Sequence, residues 1–316
     1  MAFFSVIIPL YNKENHIEET LKSVLNQNFQ DFEVIIVEDC STDNSNLKAE
    51  SIISEKIRII QHEVNKGLSA SRNTGIQNSN SDFLAFLDAD DIWHKEFLEK
   101  IHQLIQEFPK AHLFATNYVE VYSKKVAVSP SSNLNNFIKD DIILDFFESN
   151  LYQNIYCPSS LCVKKELFEK IGGYNTKINY GEDIDFNIRA NSTFKLAYSN
   201  TVLVYNIMYA ENKITNSGLK NKTITDFDFY EPLSVSDKSL KKYLDINRYM
   251  MASNYKKEND LVNWQKLKKG IHKNPEISGL NLKQRILLEL PPFVLQLISK
   301  LKLAFLKKGK RFSSFN

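Results

Sequence analysis

Cysteine is nearly absent, with three residues in 316. Cys40, Cys157 and Cys162 are too few and too irregularly spaced for a zinc site or a disulfide framework, and they suit a reducing compartment. No stretch approaches the ~20 consecutive apolar residues that a bilayer-crossing helix needs. No signal peptide is expected, because the apolar run 3–10 is short, lacks a basic leader and passes directly into Asn12-Lys13-Glu14-Asn15. Charge of one sign does not dominate: 40 Lys and Arg face 38 Asp and Glu, which argues against a general nucleic-acid binder. No Gly-x-Gly-x-x-Gly follows the first apolar run, so a nicotinamide-dependent dehydrogenase is disfavoured. No internal repeat is present. These absences leave a cytoplasmic protein, peripheral if it meets a membrane at all. The length suits one large α/β domain or two lobes, and 12% aromatic content, with 21 Phe and 14 Tyr, can line pockets that stack flat rings.

Apolar runs and helical periodicity alternate in the first third. Residues 5–10, 33–39, 58–61 and 83–87 read as buried strands. Between or after them, 17–25, 69–79 and 97–108 carry apolar residues at helical spacing. This alternation predicts βαβ units and a mostly parallel sheet flanked by helices. After Val121 the pattern weakens. Residues 129–136 read as a polar loop, 159–163 and 196–198 as strands, 166–171 as a helix closed by Gly172-Gly173, and 181–191 as a helix with an acidic start. From Asp237 onward the chain reads as helical. The expected divisions are 1–122, 123–235 and a helical C-terminal region, 236–316.

Leu87-Asp-Ala-Asp-Asp91 directly follows an apolar run. Side chains at i and i+2 of extended chain share a direction, so Asp88 and Asp90 present two carboxylates at a strand lip. Their desolvation calls for a cation, and Mg²⁺ or Mn²⁺ held with substrate phosphate oxygens is the natural one. A solvated, helix-capping turn is the plainer alternative. Tyr11-Asn12 and Glu38-Asp39 also end strands, on the side where ligands of parallel sheets bind. A second acidic group, Gly181-Glu-Asp-Ile-Asp185, fits two roles. It can cap a helix N-terminus, or it can supply a general base opposite a metal-bound diphosphate.

Five segments together resemble glycosyltransferase family 2, whose members are inverting enzymes of the GT-A fold that use nucleotide-sugar donors. They are Ser5-Val-Ile-Ile-Pro-Leu-Tyr-Asn12; Gln27-Asn-Phe29 with Phe32-Glu-Val-Ile-Ile-Val-Glu-Asp39 and Ser41-Thr-Asp43; Asn65-Lys-Gly-Leu-Ser-Ala-Ser-Arg-Asn-Thr-Gly75; residues 83–93; and Gly172-Gly-Tyr174 leading to Gly181-Glu-Asp183. The resemblance covers roughly residues 3–210. It implies donor-binding roles for Pro9, Tyr11, Asp39, Arg72, Asp88 and Ala89: Tyr11 packs on the base, Asp39 accepts a base N–H, and Arg72 lies near the diphosphate. It implies Asp90, assisted by Asp88, as ligand of Mn²⁺ or Mg²⁺, Asp183 as catalytic base, and Glu182 in an acceptor-contacting or supporting role. The implied reaction moves one sugar, from a UDP-linked donor, to a hydroxyl of a saccharide or lipid-linked saccharide in surface-polysaccharide assembly.

Two other functions compete. A sugar nucleotidyltransferase would want a Gly-rich, basic N-terminal loop, which Pro9-Leu-Tyr-Asn12 does not provide. A catalytically silent binding or scaffold protein of the same fold has no need of intact Asp39, Asp88, Asp90 and Asp183.

The chain departs from the family pattern at Glu38 and Cys40, where Asp and Gly are commoner. Cys40 implies a backbone that does not depend on glycine. Tyr205-Asn-Ile-Met-Tyr209 lacks the basic residue that many members carry near the segment 205–216. The Gln-x-x-Arg-Trp string of processive synthases is missing, which favours single-sugar transfer. Asp226-Phe-Asp228 reads as a solvated loop, Asp185 as a cap or surface pair, Trp93 as packing beneath the acidic loop. His62, His94, His102 and His112 read as surface residues. Finally, Phe293, Val294, Leu297, Ile298, Leu301 and Phe305 keep helical spacing, with no acid beyond Glu289 and six basic residues from Lys300 to Arg311. Such a tail can lie on an anionic membrane, on the cytoplasmic face.

Overall fold

The computed structural model describes residues 1–134 and 137–312. The last two residues of the expected polar loop and the end of the tail, 313–316, lie outside the described residues. Among the described residues, ten strands form one sheet: β1 Phe4–Leu10, β2 Phe32–Glu38, β3 Ile57–Gln61, β4 Phe83–Phe86, β5 Ile92–Trp93, β6 Leu113–Ser123, β7 Val126–Val128, β8 Asp141–Ile143, β9 Leu161–Lys164 and β10 Leu196–Ile207. Their order is β3-β2-β1-β4-β9-β6-β10-β5, with β7 on β6 and β8 on β10. Strands β3, β2, β1 and β4 pair in parallel, as do β6 and β10. Strand β9 is antiparallel to both β4 and β6. Through β10, therefore, every strand on that path except β9 runs one way. The alternation in the sequence implied this architecture.

Helices α1 Ile17–Leu25, α2 Ser45–Glu50, α3 Leu68–Asn78 and α4 Phe97–Glu107 cover the first half. α5 Phe146–Ser149, α6 Glu166–Ile171 and α7 Glu182–Asn191 serve the second. Alternate residues of β1 feed opposite cores, as the two-residue strand period requires. Val6 and Ile8 join Leu21, Val24, Phe97 and Ile101 on one face. Ile7 joins Ile76, Leu84, Phe86 and Phe186 on the other. Gly75 lets α3 press against β1, since a Cβ there would lie 2.3 Å from Ile7 Cγ2.

The rest is helical, as expected from Asp237 onward: α8 Glu231–Ser234, α9 Lys238–Lys257, α10 Leu261–Gly270, α11 Pro275–Ser278, α12 Leu282–Glu289 and α13 Pro292–Leu306. Asp237 caps α9 by accepting from Leu240 N at 2.9 Å. Within α9, the buried Asp245 accepts from Lys241 Nζ at 2.9 Å and Arg248 Nη1 at 3.1 Å; Asp245 Oδ2 also accepts from His272 N at 2.9 Å and Lys241 Nζ donates to Glu231 Oε1 at 2.8 Å, which ties α9 to the segments around it. The tail folds back onto the sheet, where Arg311 Nη2 donates to Glu120 Oε2 of β6 at 2.6 Å. No helix among the described residues is long and apolar enough to cross a membrane.

Candidate functional site

The loops after β1, β2 and β4 leave the sheet at one edge because these strands are parallel. They bring Tyr11, Asp39 and Asp88–Asp91 to a common region. Pro9 and Ala89 are buried within it, whereas Tyr11 is 43% exposed. The backbone of Ala89 accepts from Thr20 Oγ1 at 3.1 Å, which fixes the acidic loop to α1.

The carboxylates around the β4 lip share their cations: Arg72 serves Asp88 and Glu182, and Lys213 lies near both Asp90 and Asp91. Asp88 Oδ1 accepts from Arg72 Nη2 at 2.8 Å, and Arg72 Nη1 donates to Glu182 Oε1 at 2.7 Å. The Arg72 guanidinium is 1% exposed and stands 5.1 Å from the centre of the Tyr174 ring. It therefore braces the β4 lip against the start of α7. Asp90 Oδ2 accepts from Lys13 Nζ at 2.8 Å, with Lys213 Nζ 3.6 Å away. Asp91 is fully buried and accepts from Ser159 Oγ at 2.6 Å and Ile207 N at 3.0 Å. Burial pushes its carboxyl up to about 7, against the pull of nearby Lys213.

Gly181 adopts φ +70°, a left-handed conformation that glycine takes without penalty, and it opens α7 with Glu182 and Asp183 in the first turn. Glu182 is buried and Asp183 is half-buried. Burial raises the Asp183 carboxyl to about 6; the charge of Glu182 adds to this and Arg72 opposes it. A half-buried carboxylate tuned toward neutrality is suited to proton abstraction.

Asp39 is 3% exposed. Its Oδ1 accepts from His62 Nδ1 at 2.7 Å and Lys66 N at 2.8 Å, and its Oδ2 accepts from Gly67 N at 2.8 Å. Glu38 folds back to accept from Ser41 N at 2.6 Å and Cys40 N at 3.2 Å.

Several expectations need correction. Cys40 stands at φ +61°, so the loop keeps the left-handed conformation of a glycine position. His62 is buried and bonded to Asp39, not at the surface. Asp185 is also buried; it pairs with Arg189 at 2.6 Å and accepts from Tyr230 OH at 2.6 Å, which anchors α7. The segment after β10 does hold a basic residue, Lys213, four positions past Tyr209. By contrast, Trp93 does pack beneath the acidic loop: its Nε1 donates to Ser159 O at 2.6 Å and its ring stacks 4.2 Å from Phe97. Asp228 is solvated and receives Arg248 Nη2 at 2.8 Å. Lys13, Lys213, Asp91, Ser159 and His62 were not expected at the site. The available signals were the adjacency of Lys13 to Tyr11-Asn12 and of Asp91 to Asp90; nothing local marked the others.

The donor set fits a hard divalent ion. Among the described residues, Asp88 Oδ2 and Asp90 Oδ1 have no protein partner, the other oxygen of each being taken by Arg72 and Lys13, and no group of three His, Cys, Asp or Glu side chains able to hold an ion occurs. Two carboxylates with the remaining positions left to diphosphate and water is the mode of binding expected for Mg²⁺.

The model for "Glycosyl transferase family 2" matches residues 5–172. An uncharacterized glycosyltransferase of Haemophilus influenzae is 32% identical over 58% of this chain and 60% of its own length. The Escherichia coli UDP-Glc:alpha-D-GlcNAc-diphosphoundecaprenol beta-1,3-glucosyltransferase WfgD is 37% identical over 30% of this chain and 38% of its own. The chain thus spans less than two thirds of either relative. Among solved structures, Staphylococcus aureus TarS 1-349 in complex with UDP-GlcNAc superposes with a TM-score of 0.67 at 20% identity, covering 97% of this chain and 87% of that one, a likeness of fold.

Proposed function

The chain belongs to glycosyl transferase family 2, and from that membership we propose that it moves a single sugar from a UDP-sugar to a hydroxyl of a saccharide or lipid-linked saccharide in surface-polysaccharide assembly. The observation that carries this reading is the Arg72 bridge from Asp88 to Glu182. It puts the diphosphate-binding lip and the base-bearing helix turn on one cationic brace, with Asp183 beside it. Tyr11 offers an exposed ring to the nucleobase, and Asp39 Oδ2 keeps one acceptor position for a base N–H. Lys13 and Lys213 supply positive charge beside Asp90, where the diphosphate lies.

Asp90 and Asp88 are the residues that would hold Mn²⁺ or Mg²⁺, which as a Lewis acid neutralises charge on a leaving diphosphate. Asp183 takes the proton of the acceptor hydroxyl. The hydroxyl oxygen forms its bond to the anomeric carbon while the bond from that carbon to the diphosphate oxygen breaks, and the electron pair leaves with UDP. One displacement inverts the configuration. Glu182, held by Arg72, fixes the turn that carries the base.

The lipid-linked acceptor draws support from the name of the E. coli relative and from α13, which turns Phe293 (69% exposed), Leu297 (57%) and Leu301 (52%) to solvent amid basic residues. We extend the proposal to docking of this tail on an anionic membrane at the cytoplasmic face. Phe293→Ser with Leu297→Ser is expected to abolish sedimentation with phosphatidylglycerol vesicles; unchanged sedimentation refutes the docking. For the reaction, a panel of nucleotide sugars with Mn²⁺ is expected to contain a UDP-sugar that raises the melting temperature and releases UDP slowly. Stabilisation by a purine nucleotide sugar instead would refute the donor assignment.

A further inference from the structure

His62 lies at the end of β3, between the β2 loop and α3, with its ring almost wholly buried. Its Nδ1 is 2.7 Å from Asp39 Oδ1, and its Nε2 is 2.9 Å from Thr74 Oγ1 of α3. A carboxylate oxygen accepts, so Nδ1 is the donor, and in the neutral ring Nε2 accepts a hydrogen bond from the Thr74 hydroxyl. The backbone of the same residue is fixed at both ends. His62 N donates to Glu38 O at 2.9 Å, and His62 O faces Cys40 Sγ at 3.0 Å.

The hydrogen-bond count at Asp39 gives this arrangement a consequence. Each carboxylate oxygen has two acceptor positions. Oδ1 fills both of its own, with His62 and Lys66 N, whereas Oδ2 fills one, with Gly67 N. Among the described residues, one acceptor position remains, on Oδ2. Without His62, Oδ1 would also have an open position, and the carboxylate could rotate away from the donors that set its plane. A recognition group is effective when its rotamer is locked by partners behind it.

We propose that His62 is a positioning residue for nucleobase selection: by filling Oδ1 it presents a single, fixed acceptor of Asp39 to a base that carries a ring N–H, a uracil in preference to a cytosine. This rests on the reading of Asp39 as the base contact. Uracil offers N3–H at that edge. Cytosine offers an unprotonated N3, whose lone pair would face a carboxylate oxygen. The histidine thus acts through Asp39 and touches no reacting atom.

Calorimetric titration of the full chain with UDP and with CDP tests this. The wild type is expected to favour UDP by at least about 10-fold, the scale on which an unpaired polar group is rejected. His62→Leu should weaken UDP about 10-fold and leave CDP nearly unchanged, so that the ratio collapses. His62→Asn, whose amide N–H can donate from the Nδ1 position, should restore the ratio to within about 3-fold of wild type. An unchanged ratio in His62→Leu, or equal losses for both nucleotides, overturns the proposal, because a purely structural role would weaken both alike. Should His62→Leu not fold, Thr74→Val removes only the outer anchor and is expected to lower the ratio; an unchanged ratio there counts against the proposal equally. Asp39→Ala, which has no side-chain acceptor, separates the two layers: if it retains the UDP preference, the base contact itself is wrong and the role of His62 falls with it. If Asp39→Ala loses the preference and His62→Leu keeps it, only the positioning role fails.

Discussion

Asp183→Asn should make the protein both inactive and more stable. Burial and the neighbouring Glu182 raise the Asp183 carboxyl from its ordinary 3.8 to about 6. Ionising it in the folded protein therefore costs more than in the unfolded chain. For a carboxyl raised in this way, the native state holds its proton longer, so stability falls as pH rises from about 4 to about 6 and the full penalty persists above. At about 1.4 kcal/mol per pH unit the penalty is at most about 3 kcal/mol, and partial solvent access reduces it to about 1–3 kcal/mol. Asparagine has no charge to bury. Urea unfolding at pH 7.5 should show the variant more stable by that amount, and near pH 4 the difference should shrink toward zero because wild-type Asp183 is then protonated. Wild-type kcat/KM, in turn, should rise with pH through about 6 as the base ionises. A variant no more stable than wild type at pH 7.5, or a stability gain that does not depend on pH, would refute the electrostatic reasoning.

Arg72→Met leaves the Asp88 and Glu182 carboxylates without their shared cation. Its expected cost is about 3–5 kcal/mol in urea unfolding, and Arg72→Lys should rescue only part of this because one ammonium cannot bridge both acids as the fork does. Lys213→Met should weaken UDP binding about 10-fold by calorimetry while leaving the circular dichroism spectrum intact, in keeping with loss of one charge contact to phosphate; unchanged affinity would remove Lys213 from the diphosphate site. Cys40→Val puts a β-branched side chain at a positive φ and is expected to destabilise by about 1–2 kcal/mol, whereas Cys40→Gly should be neutral or better.

The first half of the fold was legible because parallel strands buried on both faces are continuous apolar runs, as in β1 and β2. The second half was less so for a physical reason. β10 was visible only at 196–198, yet it continues to Ile207 past Asn200 and Thr201, where its register shifts at Ser199 and Val202. β6 mixes Thr116, Asn117 and Glu120 into its run, and β5 is two residues long. At the site, the acids announced themselves by their positions after strands. Their cations did not, because Lys13 reaches Asp90 across 77 positions and Arg72 reaches Glu182 across 110, and no local pattern encodes such a pairing. His62 escaped notice for the same reason: only the packing of β3 against β2 and α3 reveals that its ring is enclosed.

The central claim is a single displacement in which Asp183 receives the proton and UDP departs. The most direct measurement follows the slow hydrolysis of a UDP-α-sugar, chosen for its stabilisation of the protein, by proton NMR before the released sugar mutarotates. The β-anomer should appear first, and Asp183→Asn should abolish it while UDP still binds. First appearance of the α-anomer, or release by the variant at the wild-type rate, would contradict it.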